Sequence, residues 1–255
     1  MRLVIKVGTS TLTYPSGRLN IRRVDRLCMV LSDLLNGGHE VVLVSSGAIG
    51  MGVGKLNLDG RPSDMPTKQA AAAVGQCELM YTYDKLFGGY GQTVAQILIT
   101  GEDVESERRR RHFTDTVFRL LELKVIPVIN ENDTVSTDEI SVGDNDTLAA
   151  IVAVNVKADL LVLLSDIDGL YTGDPKKDER AKLISYIDKI DDEIISLAGG
   201  AGSKLGTGGM ATKISAAKLC TDSGIDMVIA NGSAPDVIYK IIGGESVGTR
   251  FAGKK

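Results

Sequence analysis

Two amide- and acid-rich segments, Asn130-Glu131-Asn132-Asp133 and Gly143-Asp144-Asn145-Asp146, concentrate the chemistry-bearing side chains of this sequence. Between them lies TVSTDEISV, residues 134–142, whose alternation predicts a β-hairpin with Asp138-Glu139 at its tip. Turn chemistry could account for either segment alone. Two such segments converging where an apolar strand ends suit a cationic amine or a magnesium ion. Carboxylate cages dedicated to Mg2+ are uncommon, so a metal there would be held mostly by phosphates and water. Lysines mark two further places. Lys6 ends an apolar run and precedes Val7-Gly8-Thr9-Ser10. A lysine at a buried strand end is costly unless its charge is used; the alternative is a stem snorkelling at a sheet edge. Gly206-Thr207-Gly208-Gly209-Met210-Ala211-Thr212-Lys213 opens a helix. Glycines ahead of a helix N-terminus expose amides to a phosphate, and Lys213 lies just inside the start.

Two more segments follow apolar runs. Ser45-Ser46-Gly47-Ala48-Ile49-Gly50-Met51-Gly52-Val53-Gly54 is glycine-rich and reads as a loop, either cradling an anionic group or simply flexible. No register of it gives GxGxxG, and Gly54-Lys55 is followed by Leu56, with Ile at position 49, so no GxxxxGK[ST] loop is present. Ser165-Asp166-Ile167-Asp168-Gly169-Leu170-Tyr171 is a strand end running into a turn-rich stretch, which an ordinary surface loop would also produce.

Several function classes drop out. Basic residues number 29 against 33 acidic ones, for a net charge of -4, and aromatics are 4% with no Trp. Neither the charge nor the stacking surface of a nucleic-acid binder is there. Arg108-Arg109-Arg110-Arg111 follows Glu102, Asp103, Glu105 and Glu107 and reads as a solvated helix face. Cys28, Cys77 and Cys220 are far apart, which excludes a zinc knuckle and a disulfide framework. His39 and His112 are the sole histidines, so a histidine metal site or a Ser-His-Asp triad is not expected. The apolar stretch at the N-terminus is too short for a signal peptide, and no run approaches a membrane span, so the expected location is cytoplasmic.

Positioning these residues requires a sheet. Strands are expected over 3–7, 40–44, 93–99, 125–129, 160–164 and 227–230. Helices are expected over 21–35, 67–87, 113–123, 148–156 and 211–223, with Thr67 as an N-cap. Residues 55–66 hold two prolines and are a candidate mobile lid. Strand and helix alternate, and the strands at 41–44 and 160–164 are apolar on both faces. The class is therefore α/β, with a largely parallel sheet covered on both sides. Ligands of such sheets sit beyond the C-terminal strand ends, where every segment above falls. The 255 residues show no repeat or linker and are read as one domain, 1–255.

Taken together, Ile5-Lys6-Val7-Gly8-Thr9-Ser10, Val44-Ser45-Ser46-Gly47-Ala48-Ile49, the run from Lys68-Gln69-Ala70 to Val74-Gly75-Gln76, Ile129 through Val135, Gly143-Asp144-Asn145-Asp146, Ser165 through Tyr171 and Gly206 through Lys213 resemble the amino acid kinase family. They run in order across nearly the whole chain. Ser-Ser-Gly-Ala and Asn-Glu-Asn-Asp look specific to its glutamate-using branch. The resemblance implies a three-layer αβα sandwich and ATP-dependent phosphorylation of the glutamate side-chain carboxylate, the first step of proline synthesis. By similarity, Lys6 and Lys213 would touch the phosphates and Asp146 would hold both lysines. Ser46, Gly47, Asn130, Asp133, Asp144 and Asn145 would bind glutamate. Lys6, Ser165, Asp166 and the stretch Thr207, Gly208, Gly209, Met210, Ala211, Thr212 and Lys213 would bind ATP, with Mg2+ riding on the nucleotide. Feedback inhibition by proline and a dimeric or tetrameric assembly are implied as well. Many relatives carry a further C-terminal domain of the PUA type, which this chain, ending at Lys255, does not show. The alternatives are another small-acid or phosphate kinase of the same fold, such as one for acetylglutamate or isopentenyl phosphate, and a non-catalytic amino-acid sensor.

Overall fold

The apolar runs line up side by side in a computed structural model that describes residues 1–14, 18–135, 145–175, 177–199 and 209–254. The strands are β1 (Arg2–Val7), β2 (Glu40–Ser45), β3 (Val94–Ile99), β4 (Ile126–Glu131), β5 (Leu160–Ser165), β6 (Tyr186–Ile187), β7 (Asp226–Asn231) and β8 (Thr249–Phe251). Among the described residues they form one sheet in the order β3-β4-β2-β1-β5-β7-β8-β6. The pairings from β3 through β7 are parallel, β8 runs antiparallel to β7, and β6 is parallel to β8. The expected α/β class holds.

Helices cover both faces: α1 (Thr9–Leu12), α2 (Ile21–Asn36), α3 (Ala48–Lys55), α4 (Met65–Gly89), α5 (Gly101–Glu105), α6 (Glu107–Glu122), α7 (Asn145–Asn155), α8 (Asp192–Ala198), α9 (Met210–Asp222) and α10 (Val237–Ile242). The period of two along β1 sorts its side chains. Leu3, Ile5 and Val7 join a core with α2, α4 and α10, whereas Val4 joins the opposite core with α6, α7 and α9. Leu3, Val4 and Ile5 are wholly buried, each contributing about 1.5–3 kcal/mol. Lys6 shares Val4's face, so this central strand aims the Lys6 ammonium between α7 and α9.

Two local expectations fail for identifiable reasons. The N-cap of α4 is Asp64, whose side chain accepts from the Thr67 amide, and not Thr67. Pro66, in the first turn, has no N–H to satisfy there. The glycine-rich stretch after β2 is not a loop: it forms α3 from Ala48 on, with Gly47 capping it at φ 109°. Gly52 within α3 and Gly75 within α4 serve packing. A Cβ at Gly52 would lie 1.8 Å from the Ala71 carbonyl oxygen, and one at Gly75 would lie 1.7 Å from that of Ala48. The backbones of α3 and α4 touch, and only glycine permits that approach. Residues 56–64 are irregular, as expected of the stretch before α4. The hairpin expected at 134–142 lies, from 136 on, outside the described residues. Arg109 pairs with Glu102 and Asp103, and Arg111 with Asp115, on the exposed face of α6, which bears out the solvated reading of the arginine run.

Candidate active site

Strand register brings the segments to one edge. Val7 lies opposite Ser45 and Leu164, Val44 opposite Ile129, and Ser165 opposite Asn231. The C-terminal ends of β1, β2, β4, β5 and β7 therefore open on the same side of the sheet.

At its centre one carboxylate holds two ammonium groups. Lys6 Nζ is 2.6 Å from Asp146 Oδ1, and Lys213 Nζ is 2.8 Å from Asp146 Oδ2. Asp146 is in the first turn of α7, where the helix dipole favours a negative charge. Lys213, the fourth residue of α9, faces that dipole unfavourably and is held by its ion pair. All three are sealed from solvent, with side-chain exposures of 8%, 6% and 0% for Lys6, Lys213 and Asp146. Among the described residues the cluster thus carries two positive charges on one negative one. Thr212 Oγ donates to the Gly209 carbonyl at 2.7 Å and lies 3.3 Å from Asp146 Oδ2. Gly209 caps α9, and among the described residues no side chain caps its first amides, an arrangement able to receive a phosphate. Ser165, at the end of β5, donates to Asp166 at 3.2 Å, and its carbonyl accepts from Gly232.

Beside this cluster lies a second one made of amides. Asn145, the residue before Asp146, donates from Nδ2 to Ser46 Oγ at 2.6 Å, to Asn130 Oδ1 at 3.1 Å and to the Ser45 carbonyl at 3.3 Å. Asn130 Nδ2 donates in turn to Gln76 Oε1 at 3.0 Å. The Ser45 hydroxyl is tied to the buried Tyr83 hydroxyl at 2.8 Å, which steadies the end of β2 from below. Asp133 follows β4 and is half-buried, and none of the described residues hydrogen-bonds its carboxylate. Burial, assisted by the charge of Glu131 and opposed by Arg61, pushes its carboxyl up to about 6. A carboxylate that is short of partners and half-buried is a place for a cation.

Of the anticipated residues, Lys6, Thr212 and Lys213 gather around Asp146, and Ser46 and Asn130 around Asn145, the residue before it. Asp144, Thr207 and Gly208 lie outside the described residues. Gln76 was not anticipated as part of the site. Its signal is present in the sequence: it is the polar member of an otherwise apolar or small stripe, Ala72, Leu79 and Tyr83, at helical spacing on the buried face of α4. No group of His, Cys, Asp and Glu among the described residues is arranged to hold a metal ion. Asp146, the buried carboxylate at the centre, is already engaged by both lysines. That donor set fits a Mg2+ carried in on phosphates and water better than one held by the protein.

The model of the amino acid kinase family matches residues 1–231. The chain is 53% identical to a glutamate 5-kinase of Clostridium perfringens, over 100% of this chain and 96% of that one. It is 52% identical to a glutamate 5-kinase of a Thermoanaerobacter species, over 98% of this chain and 68% of that longer one. Among solved structures it resembles a carbamate kinase from Giardia lamblia bound to AMP-PNP, with a TM-score of 0.72 at 15% identity over 99% of this chain and 98% of that one. An isopentenyl phosphate kinase gives 0.67 at 17% identity, over 99% of this chain and 100% of that one. The two structural likenesses speak for the fold.

Proposed function

The chain belongs to the amino acid kinase family, and on that premise we propose that it transfers the γ-phosphoryl group of ATP to the side-chain carboxylate of L-glutamate, the first step of proline synthesis. The observation that carries the site assignment is the buried Lys6–Asp146–Lys213 cluster beside an amide cluster. The acceptor carboxylate is ionised at pH 7, so no proton has to be removed and no general base is needed. The absence of a histidine pair follows. One glutamate oxygen forms a bond to the γ-phosphorus while the bond from that phosphorus to the ADP oxygen breaks. The products are an acyl phosphate and ADP.

What the protein must supply is alignment of two anions and neutral surroundings for the phosphoryl group in flight. Lys6 and Lys213 supply the charge, and Asp146 fixes both so that neither reorganises during transfer. The amides at the start of α9, with Ser165 and Asp166, hold the nucleotide. Mg2+, bound through the triphosphate, would neutralise further phosphate charge. On the acceptor side Asp133 takes the α-ammonium group. Ser46, whose hydroxyl accepts from Asn145, keeps its own proton to donate to a substrate carboxylate, and the Gly47 amide lies beside it. Asn130 and Asn145 complete the pocket, and Asp144 belongs to it by sequence. The half-buried Asp133 disfavours a phosphate or lipid acceptor, which would bring no cation to it. Proline, which also carries an ammonium and a carboxylate, would act as a feedback inhibitor in the same pocket, and the assembly would be a dimer or tetramer. No described helix is long and apolar enough to cross a membrane.

The test is ATP consumption against a panel of amino acids, with hydroxylamine present to capture an acyl phosphate as its hydroxamate. Hydroxamate formed with glutamate, and neither with N-acetylglutamate nor without an amino acid, supports the reading. ATP turnover with no hydroxamate from any amino acid refutes it.

A further inference from the structure

We infer that Gln76 reinforces the polarity of the substrate pocket, whose sense the Ser45 carbonyl dictates, and through it the preference for a free amine. The inference rests on the glutamate reading above and extends it to a residue outside the catalytic cluster. Its starting point is a buried donor left without a partner. Gln76 is 7% exposed, its Oε1 accepts from Asn130, and its Nε2 finds no acceptor among the described residues. A primary amide has a carbonyl at one end and two N–H donors at the other, and buried donors are almost always satisfied. Turning the Gln76 amide over would be the simple remedy, yet the neighbouring amides forbid it.

The reason lies at the far end of the chain of bonds. The Ser45 carbonyl is a backbone acceptor and cannot reverse its role, so the Asn145 end facing it must be Nδ2. The same Nδ2 meets the neighbouring Asn130 side chain, which must therefore present Oδ1. Asn130 Nδ2 is then directed at Gln76, which must present Oε1. A reversed Gln76 would set donor against donor, and the conflict would pass through Asn130 to Asn145. Three amides are thus locked in one sense, and the orphan Nε2 is the visible consequence. At the open end of the relay, Asn145 is half-buried and all its described bonds use Nδ2. Its Oδ1 is left for the ligand. A carbonyl oxygen there accepts from an ammonium group, in company with Asp133. An amide turned the other way would offer N–H, which repels an ammonium and suits the carbonyl of an N-acyl group. Gln76 is a positioning residue: it touches Asn130 and acts on the substrate through it.

Gln76→Met keeps the size and removes the acceptor; Gln76→Glu keeps an acceptor oxygen in either protonation state and replaces Nε2 with an oxygen. Hydroxamate formation is followed with glutamate and with N-acetylglutamate, alongside KM for ATP. Gln76→Met should raise the glutamate KM about tenfold or more while kcat stays within about threefold, the pattern of lost ground-state binding. The ratio of kcat/KM for glutamate over N-acetylglutamate should fall by a similar factor, and KM for ATP should hold. Gln76→Glu should restore both the KM and the ratio to within about threefold of the wild type. The inference is overturned if Gln76→Met leaves the glutamate KM and the ratio unchanged, if it lowers kcat for every substrate alike, or if Gln76→Glu is as impaired as Gln76→Met. A wild type inert toward glutamate would instead overturn the functional reading on which this one stands.

Discussion

Replacing Asp133 by asparagine should make the protein more stable and the enzyme worse. The carboxyl is raised from its usual 3.8 to about 6, chiefly by burial. A raised carboxyl means that the folded chain resists ionisation that the unfolded chain accepts. Between about pH 4 and pH 6 the folded state binds more protons than the unfolded one, so stability falls as pH rises through that window. Above it the full cost persists, at most about 3 kcal/mol for a displacement of this size. The neutral amide of the Asp133→Asn variant would not incur it. At pH 7.5 the variant should therefore melt higher by several degrees, roughly 2–4 °C per kcal/mol in a chain of this length, and the gain should vanish below about pH 4. Glutamate binding should move the other way. Loss of a half-buried charge facing an ammonium should cost about 2 kcal/mol or more, near a 30-fold rise in KM. The wild type carries its own version of this test. With the carboxyl near 6, about a tenth of Asp133 is ionised at pH 5, so the apparent glutamate KM should climb about tenfold between pH 8 and pH 5. Thermal melts across pH and glutamate saturation curves at each pH measure both effects. An Asp133→Asn variant with an unchanged glutamate KM, or with no gain in melting temperature at pH 7.5, would refute the argument.

Lys213→Ala should lower kcat by about a hundredfold or more, with a smaller change in KM for ATP, because on the proposed reading it removes a fixed charge beside the transferring group; turnover within a few-fold of wild type would move Lys213 away from that group. Gly75→Ala should cost several kcal/mol by forcing apart α3 and α4, whose backbones meet there, and a denaturant midpoint close to wild type would show that the helices can separate freely. Proline should raise the apparent KM for glutamate without lowering kcat at saturating glutamate, since both ligands present an ammonium to Asp133; a fall in kcat with KM untouched would place proline elsewhere.

The frame was legible because each apolar run was either long and helical in period or short and bounded by turn residues. The strand at 3–7 and the helix at 21–35 emerge within a residue of where they were expected, as Arg2–Val7 and Ile21–Asn36. Lys6 and Lys213 were marked for a different reason, while their pairing with Asp146 came from the family resemblance. Charged residues adjoining fully apolar strands or opening helices are costly in a core, and that cost marks them before any contact is known. The glycines after β2 misled because glycine has two uses that look alike in one dimension. A loop and a close helix crossing both ask for a missing Cβ, and only the partner, Gly75 on α4, tells them apart. The short β6 and β8, the α8 and α10 helices and the antiparallel end of the sheet were not anticipated. Their residues give no sustained period, and what forms them is packing against strands already in place.

On the proposed reading the two halves of the site also differ in how they are held, and the difference follows from what each would bind. The nucleotide side has to accept a dense negative charge whose position shifts during transfer. Two lysines held on one buried carboxylate meet that need, because ammonium groups with fixed positions attract the phosphoryl group without collapsing onto it. The acceptor side has to tell one small zwitterion from others that carry the same carboxylate. Charge alone cannot do so at short range, since an ammonium and a hydrated metal ion are both drawn to Asp133. Direction can. The Ser45 carbonyl, through Asn145, Asn130 and Gln76, fixes which end of an amide the ligand meets, and a ligand lacking an N–H donor at that point leaves the Asn145 oxygen desolvated and unpaired. Discrimination in this pocket is therefore expected to come from neutral groups, and variants of the relay should change which acceptor is chosen while variants of Lys6 or Lys213 change how fast any acceptor reacts.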